Sequence, residues 1–160
     1  MPILTADMRR VVTRQRLGYV ATVCPDGTPN LSPKGTLTVW DDDHLIFADI
    51  RSPRTTHNLR ANPACEVNVV DPIARKGYRF KGRAEVIADG PDFERMLAFF
   101  RQRGTTSPIR HVVLIAVERA LPVVSPGYDD GTSEDEIRAR WRRYYAGLRE
   151  DDEKGDAPSD

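Results

Sequence analysis

The sequence predicts a mostly β, α+β domain: six antiparallel strands forming a barrel, with helices at its periphery. Three observations carry that expectation. Short β-rich runs separated by tight turns fill residues 17–49, and two more follow at 64–70 and 77–87. Helical periodicity is confined to the chain ends and to crossings between strands. The chain has 160 residues, 39% hydrophobic and 30% charged, which suits one domain with its own core. That domain is expected to span residues 1–149, including a C-terminal helix, with 150–160 a polar, disordered tail.

Each element has a local reason. Thr5 is a capping residue for a first helix to about Arg16, with Met8, Val11 and Val12 at helical spacing. Leu17 to Val23 reads as a strand, Pro25-Asp26-Gly27-Thr28 as a hairpin turn, and Asn30 to Trp40 as the partner strand. Asp41-Asp42-Asp43 turns the chain into a strand from His44 to Asp49, with Leu45 and Phe47 on one face. Ser52-Pro53 opens a short helix that stops before Asn62-Pro63. Strands follow at Ala64 to Val70 and Gly77 to Ile87, then a helix from Asp92 to Gln102 with Phe93, Met96, Leu97 and Phe100 on one stripe. His111 to Val117 is a strand buried on both faces, and Ser133 with Glu136 forms a capping box for a helix to about Leu148.

Composition excludes several classes. No apolar run approaches the ~20 residues of a membrane helix, and the first residues lack the apolar core of a secretory signal, so a soluble cytoplasmic protein is expected. Cys24 and Cys65 have no close-spaced partners of the kind zinc sites use, and no metal site is expected. Residues 1–83 carry 13 Lys+Arg against 8 Asp+Glu, and the remainder carries the opposite excess. The cations cluster at turns and strand ends and form no nucleic-acid stripe, so they suit a small anionic ligand.

Three segments carry chemistry. Asp49-Ile50-Arg51-Ser52-Pro53-Arg54-Thr55 brings guanidiniums and hydroxyls to a helix N-terminus, where unpaired N–H groups favour anions and arginine matches phosphate oxygens. Ser32-Pro33-Lys34-Gly35-Thr36 places proline and glycine inside a strand run, which signals a bulge, an edge or close approach of a flat group. Lys76-Gly77-Tyr78-Arg79-Phe80-Lys81 alternates cations with aromatics, so that Arg79 and Lys81 share the face opposite Tyr78 and Phe80. Trp141, Tyr144, Tyr145 and Leu148 form an apolar stripe expected to dock on the barrel or on a second subunit.

The order of these motifs resembles the pyridoxamine 5′-phosphate oxidase-like superfamily. The resemblance runs from Leu17-Gly-Tyr-Val-Ala-Thr-Val through Asp26-Gly-Thr-Pro-Asn-Leu-Ser-Pro-Lys-Gly and Phe47-Ala-Asp-Ile-Arg-Ser-Pro-Arg to Gly77-Tyr-Arg-Phe-Lys-Gly-Arg-Ala. It implies a homodimer of split β-barrels with FMN in clefts at the interface. By that resemblance Ser32, Pro33, Lys34, Gly35 and Thr36 line the flavin ring. Ala48, Asp49, Arg51, Ser52, Arg54 and Thr55 hold the phosphate side, and Lys76, Gly77, Tyr78 and Arg79 complete the site. Three departures from the vitamin oxidases stand out: Ser52-Pro53-Arg54 replaces a Ser-Arg-Lys run, Ser32 an arginine, and Gly77 a glutamine.

The function expected is that of an FMN-dependent oxidoreductase, with no catalytic residue singled out. A non-catalytic flavin-binding module, and split-barrel proteins using a deazaflavin or haem, are the alternatives. A haem would need an axial ligand from His44, His57 or His111, and Tyr128, Trp141 and Arg142 would shape a substrate pocket if the last helix lies near the cleft.

Overall fold

The computed structural model describes residues 2–155, with side chains to residue 149. The first helix, α1 (Ala6–Gln15), is capped by the Thr5 hydroxyl, which accepts the Met8 N–H at 3.3 Å. It leads into β1 (Gly18–Val23) and β2 (Pro29–Lys34), an antiparallel hairpin. Gly27 takes φ +83° at the hairpin tip, a conformation that favours glycine, and Asp26 Oδ1 accepts from the Thr28 N–H beside it.

The strand expected over Asn30–Trp40 is two strands. After β2 the chain turns at Gly35-Thr36 and enters β3 (Thr38–Val39). Antiparallel strands β4 (His44–Asp49), β5 (Ala64–Asp71), β6 (Lys76–Ile87) and β7 (His111–Val124) complete one sheet of order β2-β1-β5-β6-β7-β4-β3. There are thus seven strands where six were expected. β2 and β3, adjacent in sequence, lie on opposite edges of a curled half-barrel, and the Gly35-Thr36-Leu37 link carries the chain between them. Thr36 replaces ladder bonds at this gap: its hydroxyl accepts from the Ala48 N–H at 3.0 Å and donates to the Ala48 carbonyl at 3.2 Å. β7 runs past Val117 to Val124 because β6 pairs with it along its length, with an irregularity at Lys81/Gly82.

β4 is buried on both faces and divides the core. Leu45 and Phe47 point into the barrel with Val20, Val67, Phe80 and Ile115, while Ile46 and Ala48 face α3 (Gly90–Gln102) through Met96 and Phe100. Burying a side chain of this size contributes about 1.5–3 kcal/mol. α2 (Pro53–Ala61) crosses between β4 and β5 and buries Thr55, Thr56, Asn58 and Leu59.

The last helix, α4 (Glu134–Gly155), begins at the expected capping box: Glu136 N–H donates to the Ser133 hydroxyl at 3.3 Å and Ser133 N–H to the Glu136 carboxylate at 2.9 Å. It continues beyond Leu148, and the rest of the expected disordered tail, 156–160, lies outside the described residues. Ile137 is buried and Trp141, the first residue of the apolar stripe, packs against Arg75, but Tyr144, Tyr145 and Leu148 are exposed, so only the start of the stripe docks on the chain's own barrel. Among the described residues no helix is long and apolar enough to cross a membrane.

Candidate functional site

Lys34 closes β2, and its strand position turns the side chain inward: the residue is only 4% exposed. A buried ammonium needs acceptors, and it finds hydroxyls. Nζ donates to Ser32 Oγ at 2.5 Å, Ser52 Oγ at 2.7 Å and Thr55 Oγ1 at 3.5 Å, and it lies 5.5 Å from the centre of the Phe47 ring. Burial pushes the Lys34 ammonium below its ordinary value, opposed in part by the negative charge of Asp49. An ammonium only donates, so the three oxygens act as acceptors toward it, and each hydroxyl keeps its own proton for another acceptor.

These hydroxyls stand at the start of α2. Ser52 is its N-cap by position, yet the Ser52 side chain makes no capping bond to the helix because it is turned to Lys34. The first-turn N–H groups of α2 therefore keep the unpaired, positively polarised character of a helix N-terminus. Pro53 sits in the first turn, where its missing N–H costs nothing, and the side chains of Arg51 and Arg54 are exposed around it. The arrangement is a cradle of one buried cation, three hydroxyls, helix N–H groups and two exposed guanidiniums, a donor set that suits an anion.

Asp49 builds the approach to this cradle. It is 2% exposed; Oδ1 accepts the Ser52 N–H at 2.8 Å, and Oδ2 lies 2.9 Å from His111 Nδ1. Sequence reasoning had Asp49 in the site but used His111 only as a candidate haem ligand, because the pairing of Asp49 with His111 across β4 and β7 is a matter of register. Asn58, buried one turn along α2, donates to Thr22 Oγ1 at 3.0 Å and leaves its own Oδ1 without a partner. Of the other histidines, His44 pairs with Asp41 at 2.7 Å and His57 is exposed on α2.

The structure brings together the first two predicted segments and separates the third. Ser32, Lys34, Asp49, Ser52 and Thr55 form the network above, Thr36 and Ala48 bond to each other beside it, and Pro33 and Gly35 are exposed at the adjoining edge. Lys34 stands opposite Gly18, Gly18 is level with Val69, and Val69 stands opposite Tyr78. Three strand spacings, about 14 Å along the sheet, thus separate Lys34 from Tyr78. Lys76, Gly77 and Tyr78 instead line a cavity of about 350 Å³ with Asp7, Arg10, Glu134 and Arg138. There Tyr78 donates to Asp7 at 2.6 Å, Lys76 pairs with Glu134 at 2.9 Å, and a Cβ on Gly77 would fall 2.0 Å from the Val69 carbonyl oxygen. Arg79 lies on the outer sheet face, paired with Glu66 at 2.9 Å. Tyr128 and Trp141 pack on Lys76 and Arg75, away from the Lys34 network.

A family model described as pyridoxamine 5′-phosphate oxidase matches residues 4–123, which includes the whole cradle. The chain belongs to the pyridoxamine 5′-phosphate oxidase family. Solved structures share the fold. HupZ of Group A Streptococcus is 32% identical, with 76% of this chain and 94% of that one covered at a TM-score of 0.68. A protein described as F420 reductase is 25% identical, with 73% and 98% covered at 0.58. An FMN-binding protein from Syntrophomonas wolfei shares the fold at 20% identity, with 74% and 84% covered at 0.62. A comparison with curated proteins found no match. Against the pyridoxamine 5′-phosphate oxidase family pattern, Ser32 supplies a short hydroxyl to Lys34, and Gly77 leaves no room for a side chain without backbone movement.

Proposed function

We propose that this protein binds FMN and acts as a flavin-dependent oxidoreductase in the form of a homodimer. The observation that carries the reading is the buried Lys34 ammonium surrounded by the Ser32, Ser52 and Thr55 hydroxyls at the uncapped start of α2. That donor set suits a phosphomonoester: Ser52, Arg54 and Thr55 with Lys34 would hold its oxygens, Arg51 would add a further charge, and Ser32 to Thr36 would border the flavin. Bound FMN would supply hydride and electron transfer. The chain's own part is to fix the phosphate, to place a cation near the flavin and to exclude water where Lys34 and Phe47 are buried.

Support for a second copy comes from the outer face of β1 and β2, where Tyr19, Val23 and Leu31 are exposed at 46%, 38% and 66%. An apolar group of this kind on an edge strand suits a protein partner. In such a dimer Arg79, on the same outer face, would reach a site that its own chain leaves incomplete. The F420 reductase likeness favours a second reading, a deazaflavin in the same cleft.

The visible spectrum of the purified protein, with FMN added and then dithionite and NADPH, tests the proposal. A flavin band that bleaches with the nucleotide supports the reductase or oxidase reading. A spectrum that changes only with F420 would replace it with the deazaflavin reading, and a Soret band with a haem one.

A further inference from the structure

A buried carboxylate next to an anion site is a competitor for that site's cations. Asp49 is such a carboxylate: it is 2% exposed, and its charge is felt at the Lys34 ammonium. Left without other donors, it would be drawn to Lys34 and would occupy the charge that a ligand phosphate needs.

Two donors hold it elsewhere. Ser52 N–H donates to Oδ1 at 2.8 Å and His111 stands 2.9 Å from Oδ2. A carboxylate accepts only, so Nδ1 of His111 carries the ring proton in this contact. The main chain repeats the tie, because the Arg110 N–H donates to the Asp49 carbonyl at 2.9 Å and Asp49 is registered against His111 across β4 and β7. The first residue of β7 thereby fixes the acid that fixes Ser52, and Ser52 Oγ is a direct partner of Lys34 at 2.7 Å.

We propose that His111 is a positioning residue for the anion site: by holding Asp49 away from Lys34 and against the Ser52 N–H, it sets the preference of the site for a phosphorylated over an unphosphorylated flavin. This rests on the reading that the cradle takes the FMN phosphate. His111 touches no part of the ligand in this scheme and acts through Asp49.

The test compares FMN and riboflavin affinities, by quenching of flavin fluorescence, for the wild type, His111→Ala and His111→Asn, with a thermal melt of each. Loss of one charge-assisted bond that orders the site should weaken FMN binding about tenfold in H111A and leave riboflavin within about twofold. The H111N amide nitrogen stands where Nδ1 stood, can still donate to Asp49 and should recover most of the FMN affinity. If H111A does not fold, His111→Leu, of similar volume and without a donor, carries the same expectation. An H111A or H111L protein that keeps the wild-type FMN-to-riboflavin ratio, or loses both flavins equally, overturns the inference alone. A wild type that binds both flavins equally overturns the phosphate reading and this inference with it.

Discussion

Replacing Lys34 with methionine removes the ammonium and keeps most of the side-chain volume. The free protein should respond little, and the complex should weaken. In the free protein the ammonium is a buried charge, and its pKa is depressed first by burial, with Asp49 opposing. A lysine with a depressed folded pKa binds fewer protons folded than unfolded, so it costs stability below that pKa, and the cost fades as pH rises from there to the unfolded value of 10.5. Exchanging a buried charge for an apolar group of similar shape is neutral to stabilising by about 1–4 kcal/mol. Against this, the Thr55 hydroxyl is buried and loses its partner, at about 1–3 kcal/mol. The two nearly cancel, and the melting temperature should move by no more than about 4 °C. FMN binding, in contrast, loses a charge-assisted bond worth about 1.5–3 kcal/mol, a weakening of about 10- to 150-fold. Differential scanning fluorimetry and fluorescence titration measure the two quantities on one sample. A K34M protein that melts near the wild type and binds FMN within twofold of it would refute the cradle. One that fails to fold would show that the ammonium is structural.

Three further outcomes follow from the same geometry. Burial, with some help from Glu118, pushes the Cys65 thiol up to about 12, whereas Cys24 is half-exposed, so a thiol reagent at pH 8 should label the native chain once and the unfolded chain twice; two rapid labels on the native chain would contradict the placement of Cys65. Asp7 is held below the usual carboxylate range first by the Tyr78 hydroxyl and then by Arg10, and Glu134 first by Lys76 and then by Arg138. Depressed carboxylates stabilise above their unfolded values and lose that contribution as pH falls through the folded ones, so the melting temperature should fall as pH drops below about 4, and fall less in Tyr78→Phe. Leu31→Glu puts a charge on the exposed face of β2 and should shift the mass measured by light scattering from dimer toward monomer, with an unchanged mass contradicting that face as the interface.

Elements with a local cause were legible in the sequence. The Thr5 cap, the Asp26-Gly27 turn and the Ser133–Glu136 capping box are contacts within four residues, and each stands where the residues placed it. What was misread depends on distant partners. Pro33 and Gly35 signalled a bulge or an edge within Asn30–Trp40, but not that its two halves pair on opposite edges of a sheet, because that break is imposed by closure of the half-barrel and held by Thr36 against Ala48, twelve positions away. The same holds for the site. Helix N-terminal chemistry singled out Ser52 and Thr55, but Lys34 meets them only through tertiary folding, and His111 reaches Asp49 across a strand register that no motif encodes. Within one chain the third segment stays apart from the network for the converse reason: alternation put Tyr78 inward and Arg79 outward, while the sheet order moved both away from Lys34.

The most direct test of the account is a titration of the wild-type protein with FMN, and in parallel with riboflavin, followed by visible absorbance and fluorescence. A cradle built on Lys34 and the start of α2 predicts saturable binding of one FMN per chain and clearly weaker binding of riboflavin, with inorganic phosphate competing against FMN alone. No spectral change with FMN, or equal affinity for the two flavins with no effect of phosphate, would contradict it.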